Sequence, residues 1–197
     1  IARAAWRRGA AVRIVAGPSA LATPYGVERI DTVTAAAMLS QTSSNFSWST
    51  ALVMAAAVAD FRPANPARGK IKKDARGLRL EMESIADEMP RLAAKKGARL
   101  LIGFAAETGD LEANARAKLT AKGLDLIVAN DVTREGAGFE VDTNIVTLIG
   151  SDGRSQSHPQ MSKDAVADLI LDRIAAIRAA KPKSTRAAKS SRLRAVR

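Results

Sequence analysis

Three stretches of this sequence close an apolar run with small residues and then an acid. They are Ala55-Ala56-Ala57-Val58-Ala59-Asp60, Gly103-Phe104-Ala105-Ala106-Glu107-Thr108 and Ala129-Asn130-Asp131-Val132. Small side chains admit a ligand to the backbone, whose N–H and C=O groups can read the edge of a nucleobase. Alanine also fills tight strand–helix packing, but three such runs ending on one sheet edge favour a ligand. Two groups of cations go with them. Lys70-Ile71-Lys72-Lys73 stands in a polar stretch, and Lys118 and Lys122 stand four apart. On a helix, like charges at that spacing repel by roughly 0.2–0.5 kcal/mol, a cost that a bound phosphate offsets. Asp60 suits a metal ion on the same phosphates or a ribose hydroxyl. It equally suits the cap of a turn beside Arg62-Pro63.

Other chemistries are excluded by residue type. The 197 residues include no cysteine and one histidine, His158. Thiolate catalysis, disulfides and cysteine-based metal centres are therefore out, which fits a reducing compartment. His158 precedes Pro159 with no partner in view, and no G-x-S-x-G elbow accompanies it. Neither G-x-G-x-x-G nor G-x-x-x-x-G-K-[ST] occurs, so the glycine-rich phosphate loops are absent from this sequence.

The elements that must position these groups can be read from periodicity. Residues 1–8 read as a helix that stops at Gly9. Residues 11–16 (AVRIVA) and 27–30 read as strands, and Thr34 caps a helix to about residue 44. The apolar run 51–57 (ALVMAAA) reads as a strand buried on both faces. Residues 58–76 are polar, proline-containing and aperiodic, a length of loop that is usually functional. A strand at 78–82, a helix at 87–96 and a strand at 99–104 follow. The helix at 110–122 buries Leu111, Ala115 and Leu119 and ends at Gly123. Strands at 124–129 and 144–149 precede a last helix, capped by Ser162, with Val166, Leu169, Ile170 and Ile174 inward. Alternating strands and helices imply an α/β fold around a largely parallel sheet.

Charge and hydropathy set the remaining bounds. Hydrophobic residues make up 47% and aromatics 4%, so the core is expected from Ala, Val, Ile and Leu. The longest apolar run, 51–59, is too short to span a bilayer, and no membrane association is expected. The net charge of +11 is concentrated at the end: residues 181–197 hold seven bases and no acid, leaving the body at +4. This tail reads as a disordered, solvated extension. It lacks the interleaved aromatics of a single-strand binder, so nucleic acid is not an expected partner.

Taken in order, AAVADFRP with KIKK downstream, GFAAET, KGLDLIVANDV and GF-x-x-D-x-N resemble bacterial phosphopantothenoylcysteine synthetase. That family is the C-terminal half of the bifunctional flavoprotein of coenzyme A synthesis. The resemblance runs from Ile1 to about Ile177. It implies a three-layer, Rossmann-like α/β domain over 1–180 with the first strand missing, because the family's opening strand and glycine-rich turn should precede Ile1. It also implies CTP-dependent ligation of 4′-phosphopantothenate and cysteine through an acyl-cytidylate, with Mg²⁺ accompanying the CTP. A cytoplasmic homodimer, fused to or working with a flavin-dependent decarboxylase, is implied as well, with no flavin on this part.

By position, the resemblance implies a CTP pocket at Met54, Ala55, Ala56, Asp60, Phe104, Lys118 and Lys122, and a catalytic role for Lys70, which also contacts the nucleotide. Where the family has Asn-Pro-Asp-Ile-Leu, this chain has Ile85-Ala86-Asp87-Glu88-Met89, retaining the acid. Ala86, Asp87, Glu88 and Met89 complete the expected nucleotide site, and no metal ligand is assigned. The contrasting expectation is a catalytically silent nucleotide-binding or assembly module of the same fold.

Overall fold

The computed structural model describes residues 1–73, 77–107, 109–134, 136–138 and 141–181. The basic tail beyond residue 181 thus lies outside the described residues, as do Thr108 and Phe139 of the motifs above.

The chain opens with α1 (Ala2–Arg7), which ends at Gly9 with φ of 82°, a backbone setting that favours glycine. Next, β1 (Arg13–Ala16) and β2 (Glu28–Asp31) pair in parallel as a small sheet of their own. Thr34 caps α2 (Ala35–Asn45), its side chain accepting from the Ala37 N–H at 3.1 Å. After α2 come β3 (Ala51–Met54), β4 (Phe61–Pro63), β5 (Met82–Ser84), α3 (Met89–Ala94) and β6 (Leu100–Glu107). The remainder is α4 (Leu111–Ala121), β7 (Leu126–Asp131), β8 (Thr143–Asn144), β9 (Val146–Gly150), β10 (Ser155–Ser157), β11 (Met161–Ser162) and α5 (Lys163–Ala180).

The central sheet runs β10-β9-β7-β6-β3. Its β3, β6 and β7 are mutually parallel, while β9 and β10 extend it antiparallel. Successive residues of β6 and β7 point to opposite faces, and both faces are covered. Leu101, Ala105 and Ile127 pack with Met89 and Leu92 of α3 and Ala115 of α4. Leu100, Ile102, Leu126 and Val128 pack with Val166 and Ile170 of α5. Helices on both faces of the sheet make the three-layer α/β architecture that the resemblance implied. The buried side chains are mostly Leu, Ile, Val and Ala, joined by Phe46 and Met89.

Three expectations need correction. The run 51–57 is not a strand buried on both faces: β3 stops at Met54, lies at the sheet edge and is only half-buried, while residues 55–57 are exposed. A continuous apolar run does not distinguish a central strand from an edge strand that leaves the sheet through alanines. The strand expected at 78–82 forms later, at Met82–Ser84. Its partner β4 lies inside the stretch read as irregular, and the two pair antiparallel with Phe61 opposite Ser84.

Candidate functional site

Because β3 and β6 run parallel, their C-terminal ends open on the same edge, where ligands of such sheets are held. A cleft of about 330 Å³ lies there, within the size range of small-molecule sites. One wall is the chain leaving β3, from Met54 through Ala56 and Ala57 to Asp60. Gly103, Phe104, Ala105 and Ala106 of β6 form the floor with Leu124 and Ile127. Gly103 leaves room for Leu124: a Cβ there would sit 2.6 Å from Leu124 Cδ1, and that side chain would have to shift. The opposite wall is residues 85–89 after β5, and α4 supplies Lys118 and Lys122.

The α4 helix is placed by its own sequence. The Asp110 side chain accepts from the Ala113 N–H at 3.2 Å at its start, and Gly123 at φ 60° follows its end. Leu111, Ala115 and Leu119 hold it to the sheet, which leaves the two lysines toward the cleft.

Each cleft lysine already has a carboxylate. Lys118 Nζ donates to Glu107 Oε1 at 2.7 Å, and Lys122 Nζ lies 2.8 Å from Asp87 Oδ2. The expected repulsion between the lysines is therefore answered within the chain, without a bound phosphate. The two carboxylates differ in burial, the lysines little, with Lys118 46% exposed. The Glu107 side chain is 10% exposed, whereas Asp87 and Lys122 are each 40% exposed. Partial burial pushes the Asp87 carboxyl up, but the Lys122 ammonium and the Met89 N–H outweigh it and hold it below the usual carboxylate range. Buried Glu88 pairs with Arg91 at 3.0 Å. Asp60 is exposed, and its carbonyl accepts from the Ile85 N–H at 2.8 Å, tying the base of the β4–β5 hairpin to the cleft.

Of the residues expected at the site, the structure gathers Met54, Ala56, Asp60, Ala86, Asp87, Glu88, Met89, Phe104, Lys118 and Lys122. Ala55 and Lys70 lie outside the cleft lining; Lys70 is exposed on the long connection between β4 and β5. The third strand end is also outside: Asn130 is buried, and Asp131 turns to Thr133. The His158 backbone N–H donates to the Val146 carbonyl, and the residue is distant in the sheet order from β3. Sequence reasoning missed Leu39 of α2 as a wall residue and Glu107 as the partner of Lys118. The first had no signal beyond helical spacing; the second had its strand-end position. A wider groove of about 580 Å³ adjoins the cleft through Leu39, Ile85, Ala86 and Glu88, and holds Arg62 and Arg91.

No group of three or more potential ligating side chains that could hold a metal occurs among the described residues. A cation here would take most of its ligands from a bound anion, with one carboxylate from the chain. Asp60 fits that role, since Asp87 and Glu88 are already paired.

The model of the DNA/pantothenate metabolism flavoprotein C-terminal domain matches residues 1–177. The chain belongs to this family. Among curated relatives, the coenzyme A biosynthesis bifunctional protein CoaBC of Bacillus subtilis (strain 168) is 46% identical over 178 residues. That match takes in 90% of this chain and 44% of the relative. CoaBC of Escherichia coli (strain K12) is 41% identical, with 88% and 44% covered. The chain thus spans less than half the length of these relatives. A crystal structure of the C-terminal domain of CoaBC superposes with a TM-score of 0.73 at 34% identity, covering 88% of this chain and 77% of that one. The flavoprotein C-terminal domain fold accounts for the central sheet, and the cleft lies at the C-terminal ends of its parallel strands.

Proposed function

We propose that this chain is a phosphopantothenate–cysteine ligase domain that uses CTP in coenzyme A biosynthesis. The observation that carries the reading is the convergence of two parallel strand ends, alanine-lined, with two lysines of α4 on one cleft. Backbone groups near Ala56 complement the N4 donor and the N3 and O2 acceptors of cytosine, with Phe104 beside the base and Ala55 adjoining. Lys118 and Lys122 face the phosphates. Membership of the family supports the reaction class.

In the first half-reaction a phosphopantothenate carboxylate oxygen attacks the α-phosphorus of CTP, and pyrophosphate leaves. In the second, the cysteine amine attacks the acyl carbon, the amide forms and CMP leaves. Both steps pass charge onto oxygens that a cation stabilises; Lys70, on the connection outside the cleft lining, is the proposed catalytic cation, brought in with the bound substrates. Asp60 would hold the Mg²⁺ that enters with the triphosphate, where the ion neutralises phosphate charge.

The working protein is proposed to be a cytoplasmic homodimer fused to or acting with a flavin-dependent decarboxylase. Support for the dimer comes from the β4–β5 arm, where Phe61, Ile71, Leu78, Leu80 and Met82 are all exposed. No helix among the described residues is long and apolar enough to cross a membrane.

The test is pyrophosphate release from CTP and from ATP by the protein carrying this chain, with and without phosphopantothenate. Release that depends on phosphopantothenate and favours CTP is expected, because a site shaped for cytosine leaves polar groups unpaired with a purine. CTP binding without release would point to a silent nucleotide-binding module. Equal use of both nucleotides would remove the base-reading role from the β3 strand end.

A further inference from the structure

Glu107 is the last residue of β6 and is 8% exposed; it does not line the cleft, yet it holds a side chain that does. Its Oε1 accepts from Lys118 Nζ at 2.7 Å, and its Oε2 accepts from Asn114 Nδ2 at 3.3 Å. Asn114 and Lys118 stand one turn apart on α4, so both oxygens of the carboxylate are held by one helix face. We propose that Glu107 is a positioning residue, fixing the Lys118 ammonium at the cleft wall for an anionic group of the bound ligand. The proposal rests on the nucleotide reading above and adds a residue to it.

Three physical points carry it. A lysine on an exposed helix samples many rotamers, and binding through it must overcome that freedom. Holding the ammonium in advance removes part of that cost. The ammonium has three protons: Glu107 takes one, leaving donors for a ligand. Finally, although the Lys118 side chain is 46% exposed, the carboxylate that holds it is shielded from solvent. A buried carboxylate that loses its cation is left uncompensated, so Glu107 keeps Lys118, whereas Asp87, at 40% exposed, can turn to water when Lys122 leaves. The two cleft lysines are similarly exposed, 46% for Lys118 and 40% for Lys122, and differ in their partners: Lys118 is held by a buried carboxylate and Lys122 by a half-exposed one.

Charge alone gives the opposite sign, which makes the proposal testable. Removing a negative group near a polyphosphate strengthens attraction, whereas removing a positioning group weakens binding. In the full chain, CTP with Mg²⁺ and phosphate-free cytidine are titrated calorimetrically into wild type, Glu107→Gln, Glu107→Asp, Lys118→Met and the Glu107→Gln/Lys118→Met double variant. Lys118→Met is expected to weaken CTP about tenfold and Glu107→Gln about fivefold, with cytidine unchanged and no further loss in the double variant. Glu107→Asp keeps the charge but draws it back by one methylene, so it also weakens CTP; it serves as well if the Gln variant does not fold. In the ligand-free protein, side-chain NMR relaxation at the Lys118 Cε should report restraint in wild type and release in Glu107→Gln.

CTP affinity in Glu107→Gln equal to or above wild type, losses that add in the double variant, or a Lys118 as mobile in wild type as in the variant each overturn the proposal while the nucleotide reading stands. A wild-type protein that binds no CTP, with Lys118 restrained, overturns the nucleotide reading and leaves Glu107 nothing to position.

Discussion

Replacing Asp125 by Asn should cost this domain about 2 kcal/mol of stability at neutral pH. Asp125 is 4% exposed just before β7, at the end of the sheet opposite the cleft. Its carboxylate accepts from the Leu101 N–H at 2.8 Å, from Lys96 Nζ at 3.0 Å and from Lys181 Nζ at 2.9 Å. It thus joins β6, the turn after α3 and the end of α5. Asn keeps one acceptor oxygen, loses the charge and turns an amide N–H₂ toward an ammonium. Breaking a fully buried ion pair costs roughly 3–5 kcal/mol, but two features lower that figure here. The lysine side chains are 24% and 32% exposed, so both ammoniums reach water. Lys96 also donates to the Gly123 carbonyl at 2.8 Å, a bond the substitution leaves in place.

The pH dependence gives this prediction a sign. Burial pushes the Asp125 carboxyl up, but the Leu101 N–H and the two lysines outweigh it, so its folded-state pKa lies below the ordinary carboxylate value. A group whose folded pKa is depressed contributes stability above its unfolded pKa, about 3.9 for aspartate. That contribution is lost as pH falls through the folded pKa. Urea midpoints for wild type and Asp125→Asn should differ at pH 7, with a thermal shift of about 4–8 °C, and should converge as pH drops below 4. Equal midpoints at pH 7, or a gap that widens on acidification, would refute this account of the cluster.

Two further outcomes follow from the proposed chemistry and assembly. Lys70→Gln should lower kcat by ~10²-fold with the unfolding midpoint unchanged, measured by pyrophosphate release; wild-type turnover would remove Lys70 from the reaction. Leu80→Asp on the exposed arm should shift a dimer toward monomer in sedimentation equilibrium, because a buried, unpaired carboxylate opposes association. An unchanged mass distribution would place the subunit contact elsewhere.

How much of this was legible in the sequence depended on whether the deciding interaction was local. The α4 helix was readable because its cap Asp110, its inward Leu111, Ala115 and Leu119 and its stop at Gly123 lie within one short window. The same holds for α5, whose Ser162 cap accepts from the Ala165 N–H at 3.1 Å. The β4–β5 pair was not readable, since Arg62 meets Glu83 across a long connection and β4 lies in its polar, aperiodic part. Alanine was the other blind spot. It serves as well in a strand as in a loop, so ALVMAAA did not reveal that β3 ends at Met54. The cleft lysines were found by their spacing, but not their partners, because Glu107 meets Lys118 only once α4 lies across the end of β6.

The separate partners of those lysines also say how the cleft responds to an anion. An anion that reaches Lys122 competes with Asp87, a half-exposed pair of the kind worth about 0–1 kcal/mol. With three donors on the ammonium, Lys122 can also take an anion beside Asp87 rather than in its place. Asp87 belongs to the segment that follows β5 and Lys122 to the C-cap of α4, so their pair ties the 85–88 wall to the helix. An anion that displaced Asp87 would release that tie, while Lys118 would keep its bond to Glu107.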